Sequence, residues 1–139
     1  MTPDEIARKS AEHLWAEDIA AREHGVSVDA VGPGEASLSM TVTRAMTNGH
    51  GIGHGGFIFF LADTAFAYAC NSYNQRCVAQ HCSITYLQPA RQGARLIAKA
   101  REVRRLARSG VYDIAVSDET GAPIAEFRGH SRTVPGSFF

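Results

Sequence analysis

The chain has 139 residues, 45% hydrophobic and 20% charged, and its 14 basic and 14 acidic side chains cancel at neutral pH. This is the make-up of one ordinary globular domain over residues 1–139, large enough to bury a core unaided. Zero net charge argues against nucleic acid as a partner. No stretch reaches the roughly 18 apolar residues of a membrane span, and three cysteines without a CxxC fit a reduced, cytoplasmic setting.

Thr2-Pro3-Asp4-Glu5 predicts a helix start, with Thr2 as N-cap, Pro3 in the first turn and Glu5 closing a capping box. This acidic, amphipathic beginning does not read as a signal peptide. Ile6, Ala7, Ala11, Leu14 and Ile19 extend one helix to Gly25, a C-terminal stop. Val26 to Val31 reads as a short strand, and Pro33-Gly34 as a turn. From Ala36 to Thr43 the pattern alternates, with Leu38, Met40 and Val42 on one face of a half-buried strand.

Residues 44–54 form a glycine-rich loop, and Gly55 to Asn71 follows it without a proline and apolar on nearly every side. That segment is too long for a strand and predicts a helix buried over most of its surface. Four strand-like segments come next: Cys77 to Leu87, Ala94 to Leu106, Ser109 to Ser117 and Ala122 to Val134. The order implies an α+β fold in which an antiparallel sheet, joined by hairpin-length connections, wraps one apolar helix.

Asp63 is the residue that needs explaining. Its neighbours Phe59, Phe60, Leu61, Ala62, Ala65, Phe66 and Ala67 are all apolar, and burying an ion costs on the order of several kcal/mol. Such a carboxylate either lies along an exposed edge of the helix or is retained as a base or nucleophile with a perturbed pKa. Gly55-Gly56 opens the same helix. The first amides of a helix lack internal partners, and glycine lets a ligand approach them, so one can polarise a carbonyl oxygen; a tight turn into the helix is the plainer use of the pair. Gly55 and Asp63 are eight residues apart, which is about 12 Å along one helix. A single reacting carbon cannot meet both in one chain, so a joint site requires two subunits with antiparallel helices.

Asn48, His50 and His54 lie on the loop feeding this helix. Asn48 can position water or serve an ordinary Asn-Gly turn, and His54 can order the loop or meet a substrate oxygen. Glycines between His50 and His54 argue against a helical metal pair, and no HExxH occurs, so no metal site is expected. Residues 51–56 match GxGxxG but lack the strand before it and the acidic residue after it, which disfavours a nucleotide-cofactor oxidoreductase. Cys70 and Cys77 have no nearby base in sequence and read as core residues. Residues 91–108 concentrate positive charge in Arg91, Arg95, Lys99, Arg101, Arg104, Arg105 and Arg108, against Glu102 alone. That suits a small anionic ligand or a solvated strand face.

Asn48-Gly49-His50, His54-Gly55-Gly56 and the run Leu61-Ala62-Asp63-Thr64-Ala65-Phe66-Ala67-Tyr68-Ala69-Cys70-Asn71 together resemble the PaaI-type thioesterases of bacterial phenylacetic acid degradation, within the hotdog superfamily. Ser83 to Ala90, Gly110 to Ile114 and Phe127 to Ser131 resemble that family's later strands. The resemblance implies a hotdog fold: a long central helix wrapped by a curved antiparallel sheet of five to six strands, with an additional N-terminal helix. It implies dimers that pair into tetramers, and hydrolysis of acyl-CoA thioesters, aryl-acetyl-CoA compounds above all. Asp63 becomes the nucleophile or general base, Gly55 the oxyanion amide, and Asn48 and His54 the assisting pair. A Ser or Thr that some relatives carry on the strand after the helix is replaced here by Ala79 or Cys82. CoA enters as part of the substrate, no separate cofactor is expected, and Arg104, Arg105, Arg108, Arg128 and Arg132 are candidates for its phosphates. A non-catalytic acyl-CoA-binding module and an enoyl-CoA hydratase or dehydratase on the same fold are the alternatives.

Overall fold

The computed structural model describes residues 1–139. The predicted N-terminal helix begins as expected: α1 (Pro3–Glu17) carries the full capping box between Thr2 and Glu5. It does not run on to Gly25. Asp18 leaves helical geometry and becomes the N-cap of a second helix, α2 (Ile19–Glu23), accepting from the Ala21 amide at 3.2 Å. A short side chain that can cap the next turn competes with helix continuation, so the periodic apolar pattern passed over a break.

Six strands follow: β1 (Ser27–Gly32), β2 (Glu35–Thr41), then after the central helix α3 (Gly55–Cys70) β3 (Cys77–Tyr86), β4 (Arg95–Arg105), β5 (Ser109–Ser117) and β6 (Pro123–Thr133). All pairings are antiparallel, in the order β1-β2-β4-β5-β6-β3. The expected hairpin between β3 and β4 is absent. β3 pairs instead with β6, from Cys77 opposite Thr133 to Tyr86 opposite Ala125, so it forms one edge of the sheet and β1 the other.

The sheet curves around α3. Leu38 and Met40 of β2, Leu96 and Ala98 of β4, Ile114 and Val116 of β5 and Phe127 of β6 point inward, each at most 2% exposed. They meet Leu61, Ala62, Ala65 and Phe66 of the helix. Phe66 lies against Tyr112 and Phe127, and Gly129 of β6 lets its ring sit flat on the strand, because a Cβ there would stand 2.8 Å from Phe66. Tyr68 is buried and donates its hydroxyl to Asp18 at 3.2 Å, which ties the N-terminal helices to α3. The fold is the hotdog arrangement, with six strands around one long helix.

Candidate functional site

The loop of residues 47–54 is a closed ring. Thr47 bridges Gly53, Ile52 bridges Arg91, and the Gly53 amide donates to Ala90 at 2.7 Å. The Asn48 side-chain oxygen accepts from the amides of His50 (2.9 Å) and Ile52 (3.4 Å), so its carboxamide shapes the ring from within. Its NH2 group makes no bond inside the chain, and Asn48 lines the same cavity as Gly55. That cavity, about 350 Å³, is also lined by Ile58, Tyr86 and Gln88. His54 is the N-cap of α3: its Nδ1 accepts from the Gly56 amide at 2.9 Å, and its own amide donates to Met46 at 2.7 Å. Accepting at Nδ1 leaves the ring proton on Nε2. Of the roles open to His54, the geometry realises the ordering of the loop. His50 is exposed.

Gly55 differs from its neighbours. The amides of Gly56, Phe57 and Ile58 all find acceptors on His54, whereas the Gly55 N–H has no partner within the chain. It sits at the positive end of the α3 dipole, where an anionic or polarised oxygen is favoured.

Asp63 lies two turns further along and is half-buried. Burial pushes its carboxyl above the ordinary carboxylate value. The partial counterweight is Cys82 of β3, whose thiol donates to Asp63 Oδ1 at 3.9 Å. Burial and proximity to the carboxylate raise the Cys82 thiol in turn, so it stays a donor rather than a thiolate. Of the two residues considered for the missing hydroxyl, Cys82 meets the carboxylate while Ala79 stands on the exposed run of β3. Sequence alone does not reveal this contact, because it crosses from α3 to β3 over 19 positions.

The structure therefore brings Asn48, His54 and Gly55 together and leaves Asp63 apart, about 12 Å along the same helix by its rise per residue. Both sets face the side of α3 covered by β3: Tyr86 touches Gly55, and Cys82 touches Asp63. α3 and β3 run antiparallel, so Cys70 and Cys77 sit together at the far end.

The five arginines divide. Arg128 is engaged by Asp113 through two hydrogen bonds, 2.6 and 2.9 Å, on the outer face of the sheet. Arg104, Arg105, Arg108 and Arg132 are exposed at the end of the sheet where β4 turns into β5, and the Arg105 guanidinium stacks 3.5 Å above the Tyr73 ring. No three His, Cys, Asp or Glu side chains gather in a metal-binding arrangement, and no helix is long and apolar enough to cross a membrane.

The chain is similar to known proteins in both sequence and fold. The sequence model of the thioesterase superfamily matches residues 50–125, the segment that holds the end of the loop from His50, then α3 and β3 to β5. The acyl-coenzyme A thioesterase PaaI of Escherichia coli K12 is 40% identical over 131 residues, which cover 94% of each chain. The solved structure of the E. coli PaaI protein from the phenylacetic acid degradation operon superposes with a TM-score of 0.96, over 98% of this chain and 99% of that one. A variant of the PaaI phenylacetic acid degradation protein from Thermus thermophilus gives 0.80 at 36% identity, over 83% of this chain and 98% of that one. By sequence over nearly its whole length and by fold, the protein belongs to the thioesterase superfamily, in its PaaI-type branch.

Proposed function

We propose that the protein hydrolyses acyl-CoA thioesters, with phenylacetyl-CoA or a hydroxylated aryl-acetyl-CoA as substrate, in sites shared between two subunits of a dimer that pairs into a tetramer. One observation carries this reading: a single helix presents an unpaired N–H at its first residue and a half-buried carboxylate near its middle. The thioester oxygen sits against the Gly55 amide, whose dipole-assisted hydrogen bond strengthens as the oxygen becomes an oxyanion. The partner's Asp63 either takes a proton from an attacking water or attacks the carbonyl to form an anhydride that water then opens. Both routes break the C–S bond and release free acid and CoA thiol. Asn48 offers its unused NH2 group to the substrate side, and His54 holds the Gly55 turn in place.

Support for the shared site comes from β3. This edge strand is ten residues long and contains no charged residue and no proline, the usual guards of a free edge. Antiparallel pairing of two β3 strands about a two-fold axis would set the α3 helices side by side in opposite directions. Gly55 of one protomer then approaches the partner's Asp63. The same axis carries the partner's Arg104, Arg105, Arg108 and Arg132 towards the Gly55 end, where CoA phosphates would lie. Three free thiols accord with a cytoplasmic setting.

The test is thiol release over a panel of aryl-acetyl, benzoyl and straight-chain acyl-CoA substrates, with wild type and Asp63→Asn. The variant should lose at least about 100-fold in turnover while still binding substrate. Near wild-type turnover would remove Asp63 from the chemistry. Acyl-CoA binding without any thiol release by wild type would favour a binding module instead.

A further inference from the structure

Tyr86, the last residue of β3, crosses from the sheet edge to the start of α3. Its hydroxyl donates to the Gly55 carbonyl at 2.8 Å. Its ring occupies the direction a side chain at residue 55 would take: a Cβ there would stand 3.0 Å from both Cζ and Oη of Tyr86, and 3.3 Å from Cε1. The ring is nevertheless 48% exposed, so burial in the core does not account for it. Its exposed part lines the same cavity as Gly55, Asn48 and Gln88.

Gly55 needs such a contact. Glycine leaves its own φ and ψ loosely restrained, and the N–H at this position has no intrachain acceptor to aim it. On the N-terminal side, His54 is tied down through its amide and its ring. On the C-terminal side, the helix bond to the Gly55 carbonyl is shared with the Tyr86 hydroxyl. Burial raises the phenol above its ordinary value, so it remains a donor across the neutral range. Two flanks are thus held and one N–H is left open.

Building on the thioesterase reading above, we propose that Tyr86 is a positioning residue. Its hydroxyl holds the Gly55–Gly56 peptide through the Gly55 carbonyl and its ring lies against the residue-55 Cα, so that φ and ψ of Gly55 are restrained between two fixed peptides and the free N–H of the preceding one points at the thioester oxygen. It acts through Gly55 and supplies to that residue the conformational restraint that a side chain would give. Displacement of a polarising donor by a fraction of an ångström costs rate rather than affinity, because the interaction matters most in the transition state.

The experiment uses the full-length, assembled protein and phenylacetyl-CoA, with thiol release as the readout. Tyr86→Phe keeps the ring and removes the hydroxyl, and Tyr86→Ala removes both. Expected are kcat losses of about 10-fold for Tyr86→Phe and about 100-fold for Tyr86→Ala, with KM within about 2-fold of wild type for Tyr86→Phe. Thermal melting shows that the variants fold. A purely structural tyrosine would shift the melting point and leave the kcat of the folded Tyr86→Phe protein unchanged. Wild-type kcat in that variant, or a loss carried entirely by KM, would overturn the assignment. Asp63→Asn is run alongside. If it is inactive while Tyr86→Phe is normal, only the Tyr86 role falls. If Asp63→Asn is fully active, or wild type releases no thiol from any acyl-CoA, the underlying reading falls and takes this one with it.

Discussion

Asp18 holds two elements at once, and replacing it by alanine should reveal both. Its carboxylate caps α2 through the Ala21 amide at 3.2 Å and accepts the hydroxyl of Tyr68 at 3.2 Å. Loss of an N-cap costs about 1 kcal/mol. Tyr68 is 1% exposed, so its orphaned phenol adds about 1–3 kcal/mol more. The sum, about 2–4 kcal/mol, corresponds to a melting point lower by roughly 6–16 °C for a chain of this length. A double-mutant cycle separates the two parts. In a Tyr68→Phe background no phenol is left to orphan, so Asp18→Ala should cost only the cap, about 1 kcal/mol. The assay is chemical denaturation of all four proteins at one protein concentration, because assembly makes the midpoint concentration-dependent. Equal costs of Asp18→Ala in the two backgrounds would refute the argument that the Tyr68 hydroxyl depends on this carboxylate.

Five further outcomes are expected. Gly129→Ala should destabilise by about 1–3 kcal/mol, since its Cβ would stand 2.8–2.9 Å from a Phe66 ring that Tyr112 and Phe127 hold in place; unchanged denaturation would mean the ring can yield. Activity should fall with decreasing pH through a carboxyl titration lying above the ordinary aspartate value, because burial raises Asp63 and only its anion can act as base or nucleophile. Cys82→Ala removes the opposing hydrogen bond and should move that acid limb upward; a limb that stays put or moves down in a pH–kcat/KM profile refutes the thiol's part. The linkage has a matching sign. A carboxyl raised in the folded state favours folding while protonated and loses that contribution as pH rises through its folded pKa. Asp63→Asn should therefore gain stability on wild type with rising pH, and a gap in melting point that is constant across pH would contradict it. Finally, Gly55→Pro removes the free N–H at a helix position that tolerates proline, and mixed and reassembled Asp63→Asn and Gly55→Pro chains should recover about a quarter of wild-type activity, because half of randomly paired dimers carry one intact site of two. Recovery of none would show that each site is built within one chain.

Much of this fold was legible because its signals are local. The capping box at Thr2 and Glu5, the alternation of Leu38, Met40 and Val42 and the apolar run from Gly55 each report on neighbours a few positions apart. The break at Asp18 was hidden because the apolar pattern of the first helix resumes beyond it. The place of β3 was not legible either. A strand sequence states which face is buried, not which distant strand it joins, and β3 pairs with β6 across 39 positions (Tyr86 to Ala125) to 56 positions (Cys77 to Thr133). The site divides in the same way. Gly55 and Asp63 stand out by chemistry against their surroundings, whereas Cys82 and Tyr86 gain meaning only from contacts across the fold.

The late pairing of β3 bears on how the chain is made. Its partner β6 is the last strand to be synthesised, so β3 leaves the ribosome with neither edge satisfied. The 47 residues from Leu87 to Thr133 separate its completion from that of β6, a delay of roughly 2–10 s at ordinary translation speeds. For that interval an uncharged, proline-free ten-residue strand is shielded only by α3. A nascent chain stalled in this window, or truncated before Pro123, would present a ready template for aggregation.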